Sequence, residues 1–217
     1  MNDEKKEELK NLNTIRFINA TRELIDEDGI ENISVRKIAS RAGFHNSTIY
    51  LYFKDLNELI MLASLKHFDE YTRALSQQSQ KNLTELENFF LVWEAFGNSV
   101  FKEAPIFLNF FFGKHGDNLT EIITRYYTLF PDERQDFTDE IKAMYYGTNI
   151  HDRCLIILQP LIGLKDSRIT KENCELVNEI IISSLKFLLE EKFNNHDISA
   201  DDQTKKLMQI IHYVVSI

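Results

Sequence analysis

The sequence predicts an all-α protein. Only three prolines and seven glycines interrupt its 217 residues, and residues that favour helices, such as Leu, Lys and Glu, are frequent. Apolar residues recur at intervals of three and four in most segments, which is the spacing of one buried face of a helix. Hydrophobic residues make up 43% of the chain, which is enough for the core of one large domain or two small ones.

The amino-acid composition also indicates a cellular compartment. Neither of the two cysteines, Cys154 and Cys174, stands in a metal-binding or redox spacing, so we expect a reducing cytoplasm and neither metal nor cofactor. The charged start, MNDEKKEELK, lacks the apolar centre of a signal peptide. No stretch is long and apolar enough to span a bilayer. A cytoplasmic protein without membrane contact is the expectation.

The stretch from Ser34 to Phe53 predicts two short helices joined by a tight turn. Ser34 is suited to cap the first of them. Gly43 allows a sharp turn, and Ala39 lets the second helix cross closely. The second helix begins at His45 and leaves mostly polar positions facing outward. This arrangement is a helix-turn-helix, whose second helix reads the major groove of DNA.

The same region is cationic in an acidic chain. No acidic residue occurs from Asn32 to Lys54, where Arg36, Lys37, Arg41 and Lys54 give a formal charge of +4. The whole chain carries −9, so the remainder sums to −13 (−9 minus +4). A local cationic surface indicates contact with a polyanion. The alternative is a buried helical hairpin with a solvated basic edge.

The run SVRKIASRAGFHNSTIYLYFKDLNEL resembles the DNA-binding domain of the TetR family of transcriptional regulators. The resemblance covers residues 14–59, roughly the first quarter of the chain. It implies a three-helix DNA-binding domain over residues 1–54 and a larger helical ligand-binding and dimerisation domain over residues 55–217, with the fourth helix connecting the two. The implied function is that of a dimeric repressor that binds a palindromic operator in double-stranded DNA and is released by a small lipophilic or aromatic inducer.

The resemblance assigns DNA contacts to individual residues. At the start of the recognition helix, Asn46, Ser47 and Thr48 are expected to reach base edges. Asn reads adenine through two hydrogen bonds, whereas Ser and Thr are permissive. Tyr50 and Lys54 match positions that contact phosphate in the family.

The other interface residues are weaker candidates or depart from the family pattern. Arg36 and Arg41 are weaker phosphate candidates, and Ser34 caps its helix near the DNA backbone. His45 replaces the usual Ser or Thr cap, so it is expected to cap poorly or, when protonated, to contact phosphate. Leu51 stands where the family often has histidine and is suited to a thymine methyl group. The operator therefore cannot be taken from a relative.

Caps and breakers place the individual helices. The first runs from about Leu9 to Asp28 and is ended by Gly29, because glycine adopts the left-handed conformation of a helix end. Asp55 with Glu58, and later Thr84 with Glu87, are capping boxes that open the fourth and fifth helices. The remaining predicted spans are 34–40, 45–51, 55–76, 84–102, a short helix from 105, one containing 122–130, then 132–146, 150–164 with a kink at Pro160, 171–192 and 201–216.

An aromatic-rich region in the second half predicts a ligand cavity. Aromatic side chains can line a mostly apolar space while offering a few polar donors. The alternative is that they form an ordinary core. The predicted ligand-binding residues are Trp93, Phe96, Phe110, Phe111, His115, Tyr126, Tyr127, Tyr145 and Gln159.

The predicted helices over 150–164 and 171–192 indicate a homodimer. They offer more apolar surface than one subunit is expected to cover, and a single recognition helix makes too few contacts for specific binding. We expect a four-helix interface formed by both helices of two subunits. Its predicted residues are Leu158, Leu161, Val177, Ile181, Ser184 and Leu188.

Catalytic motifs are absent from the sequence. It contains no phosphate-binding glycine loop, no H-E-x-x-H, no G-x-S-x-G and no C-x-x-C. His151, Asp152 and Cys154 lie on one helix at spacings that cannot form a hydrogen-bonded nucleophile set. A non-enzyme is expected. The alternative to a ligand-responsive regulator is a DNA-binding regulator controlled by a protein partner or by no ligand.

Overall fold

The computed structural model describes residues 3–79 and 81–216, and this part of the chain is all-α, as predicted. No helix within these ranges is long and apolar enough to cross a membrane. The described α-helices are α1 Asp3–Asp28, α2 Val35–Ala42, α3 Leu56–Ser64, α4 Asp69–Ser79, α5 Glu85–Val100, α6 Ala104–Phe112, α7 Leu119–Leu129, α8 Asp139–Tyr145, α9 Ile150–Leu158, α10 Cys174–Asn194 and α11 Ala200–Val215.

The described residues form two compact units. The first contains residues 3–67 together with 122–134, and the second contains 68–121 together with 135–216. The first unit therefore extends beyond the predicted boundary at residue 54. Its extension begins with α3, which packs against α1 and buries apolar side chains on most of its surface, among them Leu59 and Leu62. A helix that is apolar nearly all round must be covered on several sides.

Aromatic packing holds the first unit together. Phe17 of α1 is fully buried, and its ring stacks on Phe44 with the centroids 4.7 Å apart. Gly43 ends α2 in the left-handed conformation, with φ at 77°. The next amide, of Phe44, donates to the Ala39 carbonyl at 2.9 Å. The predicted tight turn is confirmed, and glycine is required there because a side chain would strain this φ.

The second unit is built around α10, which packs against α6, α9 and α11. Ile181, Leu185 and Leu188 lie on its fully buried face. The helices α5 and α11 approach each other at Gly97, where a Cβ atom would lie 2.8 Å from Thr204 Cγ2. The small residue thus sets the distance between these two helices.

Three of the predicted helices are interrupted or shortened in the structure. The fourth is interrupted by a 3₁₀ turn at Leu65–Phe68 between α3 and α4. The helix predicted to pass through Pro160 with a kink ends at Leu158, because proline supplies no amide to continue the hydrogen-bond ladder, and a 3₁₀ turn follows at Gln159–Leu161. The helix predicted over 132–146 is reduced to α8, preceded by a 3₁₀ turn at Pro131–Glu133.

Candidate functional site

The predicted recognition helix is a capped 3₁₀ helix, Asn46–Leu51. His45 caps it, since its Nδ1 accepts from the Ser47 amide at 3.4 Å and lies 2.9 Å from the Ser47 hydroxyl oxygen. With Nδ1 unprotonated, His45 thus caps the segment, although the hydrogen bond from the Ser47 amide is long. The Ser34 cap of α2 is confirmed, with its hydroxyl accepting from the Lys37 amide at 3.3 Å.

One face of this recognition segment is open to solvent. Tyr50 and Leu51 are 59% and 75% exposed, and Asn46 and Ser47 are exposed beside them. Ile49 is fully buried and anchors the segment to the core. Large exposed side chains on a segment that is fixed by a buried residue are suited to docking into a DNA groove, because Ile49 holds the backbone beneath them in place.

Two of the four predicted cations are already paired with carboxylates of α1. Arg41 donates to Glu27 at 2.6 and 3.0 Å and to Glu23 at 3.1 Å. These hydrogen bonds raise the pKa of Arg41 and lower the pKa of Glu27. Lys37 donates to Asp28 at 2.7 Å. The cationic surface is therefore weaker than the sequence suggests, and Arg41 is partly committed to its own domain.

A buried ion pair fastens the end of the recognition segment to α7. Glu58 is 3% exposed and accepts from Arg125 Nη1 at 2.8 Å and from the Lys54 amide. Arg125 Nη2 donates to the Tyr52 carbonyl at 2.7 Å. Asp55 caps α3 by accepting from the Glu58 amide at 2.9 Å. We call Arg125, Glu58 and the Tyr52 carbonyl the α7 clamp. Sequence reasoning found the cap but had no signal for Arg125.

Tyr126, which was predicted to bind ligand, belongs to a second polar cluster. Arg22 is buried, pairs with Glu133 at 3.2 Å and donates to the Tyr126 hydroxyl. That hydroxyl in turn donates to Glu133. Burial, together with the nearby Glu133 carboxylate, raises the pKa of Tyr126. Tyr127 packs on Tyr126, with ring centroids 5.1 Å apart. Both tyrosines belong to the first unit, so neither lines the cavity of the second unit described below, and their role in ligand binding stays a prediction.

The second unit contains a narrow, partly open cavity of about 20 Å³, which is room for a single water molecule. Trp93 and Phe96 line it, so two of the nine predicted ligand-binding residues lie at this space, and their role in binding stays a prediction. The sequence missed Arg153, which is 2% exposed. The full lining consists of Tyr71, Val92, Trp93, Phe96, Met144, Ile150, Arg153, Cys154 and Ile157.

The other predicted ligand-binding residues lie outside this lining. Phe111 and Tyr145 pack on the Arg153 guanidinium, whose carbon lies 5.4 and 5.1 Å from their ring centroids. Phe110 belongs to the core, 4.6 Å from the ring of Phe68. His115 lies in the loop after α6, and Gln159 is exposed. Aromatic content alone could not separate cavity wall from core, because both bury the same kind of side chain.

Comparison with known proteins connects this fold to one family. Residues 17–61, which include the helix-turn-helix and most of α3, match the family described as bacterial regulatory proteins, tetR family. A fatty acid metabolism regulator protein of Bacillus subtilis (strain 168) is 30% identical over 78 residues, which are 36% of this chain and 40% of that protein. The chain thus matches well under half of this relative's length.

Solved structures extend the likeness over nearly the whole chain. SmeT, the repressor of a Stenotrophomonas maltophilia multidrug efflux pump, aligns with a TM-score of 0.56 at 11% identity, covering 94% of this chain and 90% of its own. Thermus thermophilus FadR, a repressor in complex with lauroyl-CoA, aligns with a TM-score of 0.55 at 14% identity, covering 91% and 92%. Residues 17–61 of this chain therefore match the TetR family. At these identities the structural likeness concerns the fold alone.

The predicted TetR dimer residues lie inside the chain's own core. Leu158, Leu161, Ile181 and Leu188 are fully buried, and a side chain that its own chain covers offers no surface to a second copy. Val177 is also buried, and only Ser184 is half-exposed. Their part in a dimer stays a prediction, and apolar residues also occupy the opposite face of α10. The exposed ones are Leu176, Ile180 and Phe187.

Proposed function

We propose that this TetR-family protein is a cytoplasmic transcriptional repressor that binds a palindromic DNA operator as a homodimer. The exposed face of Asn46–Leu51, held by the buried Ile49, carries the proposal. In this assignment Asn46 and Ser47 read base edges and Tyr50 contacts phosphate. Lys54, just before the N-terminus of α3, adds a phosphate contact where the helix dipole also favours an anion.

The proposed signal is a small lipophilic molecule that binds in the cavity lined by Trp93 and Phe96 and lowers the affinity of the protein for its operator. A mostly apolar wall with a few polar donors is the usual composition of a ligand site. The B. subtilis relative is named as a regulator of fatty acid metabolism, which supports an acyl ligand. The ligand shifts DNA binding only by its preference for one conformation over the other.

The DNA assignment is tested by a double variant, Tyr50→Ala with Lys54→Ala. Fluorescence anisotropy with the protein's own upstream DNA across a salt series is expected to show affinity reduced by about tenfold or more, and a salt slope shallower by roughly one, since one phosphate contact by a cation is lost. Lys205→Ala, at an exposed site on α11, serves as the control and should behave as wild type. Equal binding by the double variant and wild type contradicts the assignment.

Neutralising the α1 carboxylates is expected to strengthen DNA binding. In Glu23→Gln with Glu27→Gln, Arg41 loses its two ionic partners and becomes available to phosphate. The expected result is higher affinity and a salt slope steeper by about one. The same change with Arg41→Ala added should return the slope to the wild-type value. An unchanged slope in the Gln variant would place Arg41 away from DNA.

The proposed dimer surface is the exposed apolar stripe of α10, which we define as Leu176, Ile180 and Phe187. These residues recur at intervals of four and seven, so they share one helix face. Phe187 is 58% exposed, and Lys206 of α11 lies 5.8 Å from its ring centroid. An apolar stripe beside a second helix suits a four-helix interface with another copy.

A further inference from the structure

Arg22 is a buried cation of α1 that holds the end of α7. It is 8% exposed. Its Nη1 and Nη2 atoms donate to the two carboxylate oxygens of Glu133 at 3.3 and 3.2 Å, which is the parallel, two-bond geometry that arginine forms with carboxylates. Nη2 also donates to the Tyr126 hydroxyl. We call Arg22, Tyr126 and Glu133 the Arg22 cluster.

Aromatic rings pack against the guanidinium of Arg22. Its Cζ atom lies 4.2 Å from the ring centroid of Phe130 and 5.3 Å from that of Tyr126, distances at which a cation is attracted to a ring face. Tyr126 is 1% exposed, so its hydroxyl depends on Arg22 and Glu133 for hydrogen bonds. The cluster therefore fixes how α7 is rotated about its own axis, since a turned helix would carry Tyr126 away from Arg22.

The α7 clamp lies on the same helix, one residue earlier. Successive residues of an α-helix point about 100° apart, so α7 presents Tyr126 to α1 and Arg125 to the end of the recognition segment. Arg125 Nη2 reaches the Tyr52 carbonyl at 2.7 Å, and its Cζ atom lies 5.2 Å from the ring centroid of Phe53. A rotation of the helix that Arg22 holds would withdraw Arg125 from both contacts.

We propose that Arg22 is a positioning residue for DNA binding. None of its hydrogen bonds in the described ranges reaches residues 45–54. It holds α7 where Arg125 can hold Tyr52, and it thereby sets the geometry of the exposed face next to Tyr52. Residues 122–134 lie outside the matched range 17–61, so a segment from far along the chain completes the unit that carries the recognition segment. The inference rests on the proposed function for its effect on the operator.

Arg22→Met in the full-length protein is expected to weaken operator binding by about tenfold, the value of one charge-assisted hydrogen bond. The salt slope should equal that of wild type, because no phosphate contact is lost. Glu133 is partly exposed, so its carboxylate can be hydrated in the variant and we expect the protein to fold. Tyr126→Phe keeps the ring and removes only the hydroxyl, and it should weaken binding in the same direction by a smaller factor.

A double-mutant cycle tests whether Arg22 acts through Arg125. Anisotropy is measured well below the thermal midpoint of every variant, so that all of them are folded. Arg22→Met with Arg125→Met should bind the operator no more weakly than Arg125→Met by itself. Arg134→Met, at an exposed site at the end of the same segment, is the control and should behave as wild type.

Three results would overturn the proposal. Losses of affinity that multiply in the double variant would show that Arg22 does not act through Arg125. A salt slope shallower by about one in Arg22→Met would make Arg22 a direct phosphate contact. A lower thermal midpoint with wild-type affinity at low temperature would leave the cluster with a stabilising role alone.

Hydrogen exchange separates this proposal from the proposed function, because it needs no DNA. The amides of Tyr52 and Phe53 donate to the Ile49 carbonyl at 3.0 and 3.1 Å, so their exchange reports how firmly this turn is held. Arg22→Met should speed their exchange by about tenfold without changing that of α10. A wild-type protein that binds no operator would refute the repressor function, and exchange would then decide the role of Arg22. Unchanged exchange at both amides overturns that role.

Discussion

Arg125→Met is expected to lower the free energy of unfolding of the first unit by about 2–4 kcal/mol, because it leaves the Glu58 carboxylate buried without its counter-ion. Arg125 is partly exposed while Glu58 is almost wholly buried. The expected loss of unfolding free energy is therefore smaller than for a pair in which both partners are fully buried. The Tyr52 carbonyl also loses its donor. Thermal melting, followed by circular dichroism and by operator binding, should show both signals lost at lower temperature than in wild type.

Two comparisons make this prediction specific to the α7 clamp. Arg125→Met with Glu58→Gln should recover part of the loss, since a neutral amide is cheaper to bury than a carboxylate. Arg73→Met removes an exposed pair with Asp69 and should change stability by less than about 1 kcal/mol. If Arg125→Met behaves like Arg73→Met, the clamp contributes nothing to the recognition segment.

Ile180→Asp with Phe187→Asp is expected to convert the protein to folded monomers. The change places two charges in the apolar stripe of α10, where they would be desolvated at a dimer interface but remain hydrated in a monomer. Operator affinity should fall by about 100-fold or more, because one subunit reads only one half-site. Sedimentation velocity measures the mass, and anisotropy measures the affinity.

Ile181→Asp is the matched comparison, since it lies one residue along the helix and is fully buried. It should unfold the second unit, because an unpaired carboxylate would enter the core. Circular dichroism would show lost helix in this variant and native helix in the stripe variant. A stripe variant that stays dimeric contradicts the placement of the interface on this face.

The local parts of the site could be read from the sequence because they depend on neighbours in the chain. The Ser34 cap, the left-handed Gly43 and the Thr84–Glu87 capping box are all found as predicted. Each involves residues at most four positions apart, whose contacts follow from helix geometry alone. The all-α class follows in the same way from periodicity and from the scarcity of proline and glycine.

The choice between faces of an apolar helix could not be read in this way. Helix α10 has apolar residues on both sides, and the side that packs against α6 and α9 is the one that the sequence predicts for a dimer interface. Ile181 and its neighbour Ile180 are chemically identical, yet one is buried and the other exposed. Only the position of the surrounding helices distinguishes them, since burial depends on what lies opposite each face.

The sequence by itself determined the helical class, the resemblance to the TetR family and the exposed recognition turn, because these are carried by short motifs with local hydrogen bonding. The tertiary structure decided that Arg125 holds that turn, that Tyr126 belongs with Arg22 and Glu133, and that Arg153 is buried beside Phe111 and Tyr145. Those partners stand far apart in the chain, so their meeting depends on how whole helices pack. Packing is a collective property of the core, and the sequence carries no local signal for it.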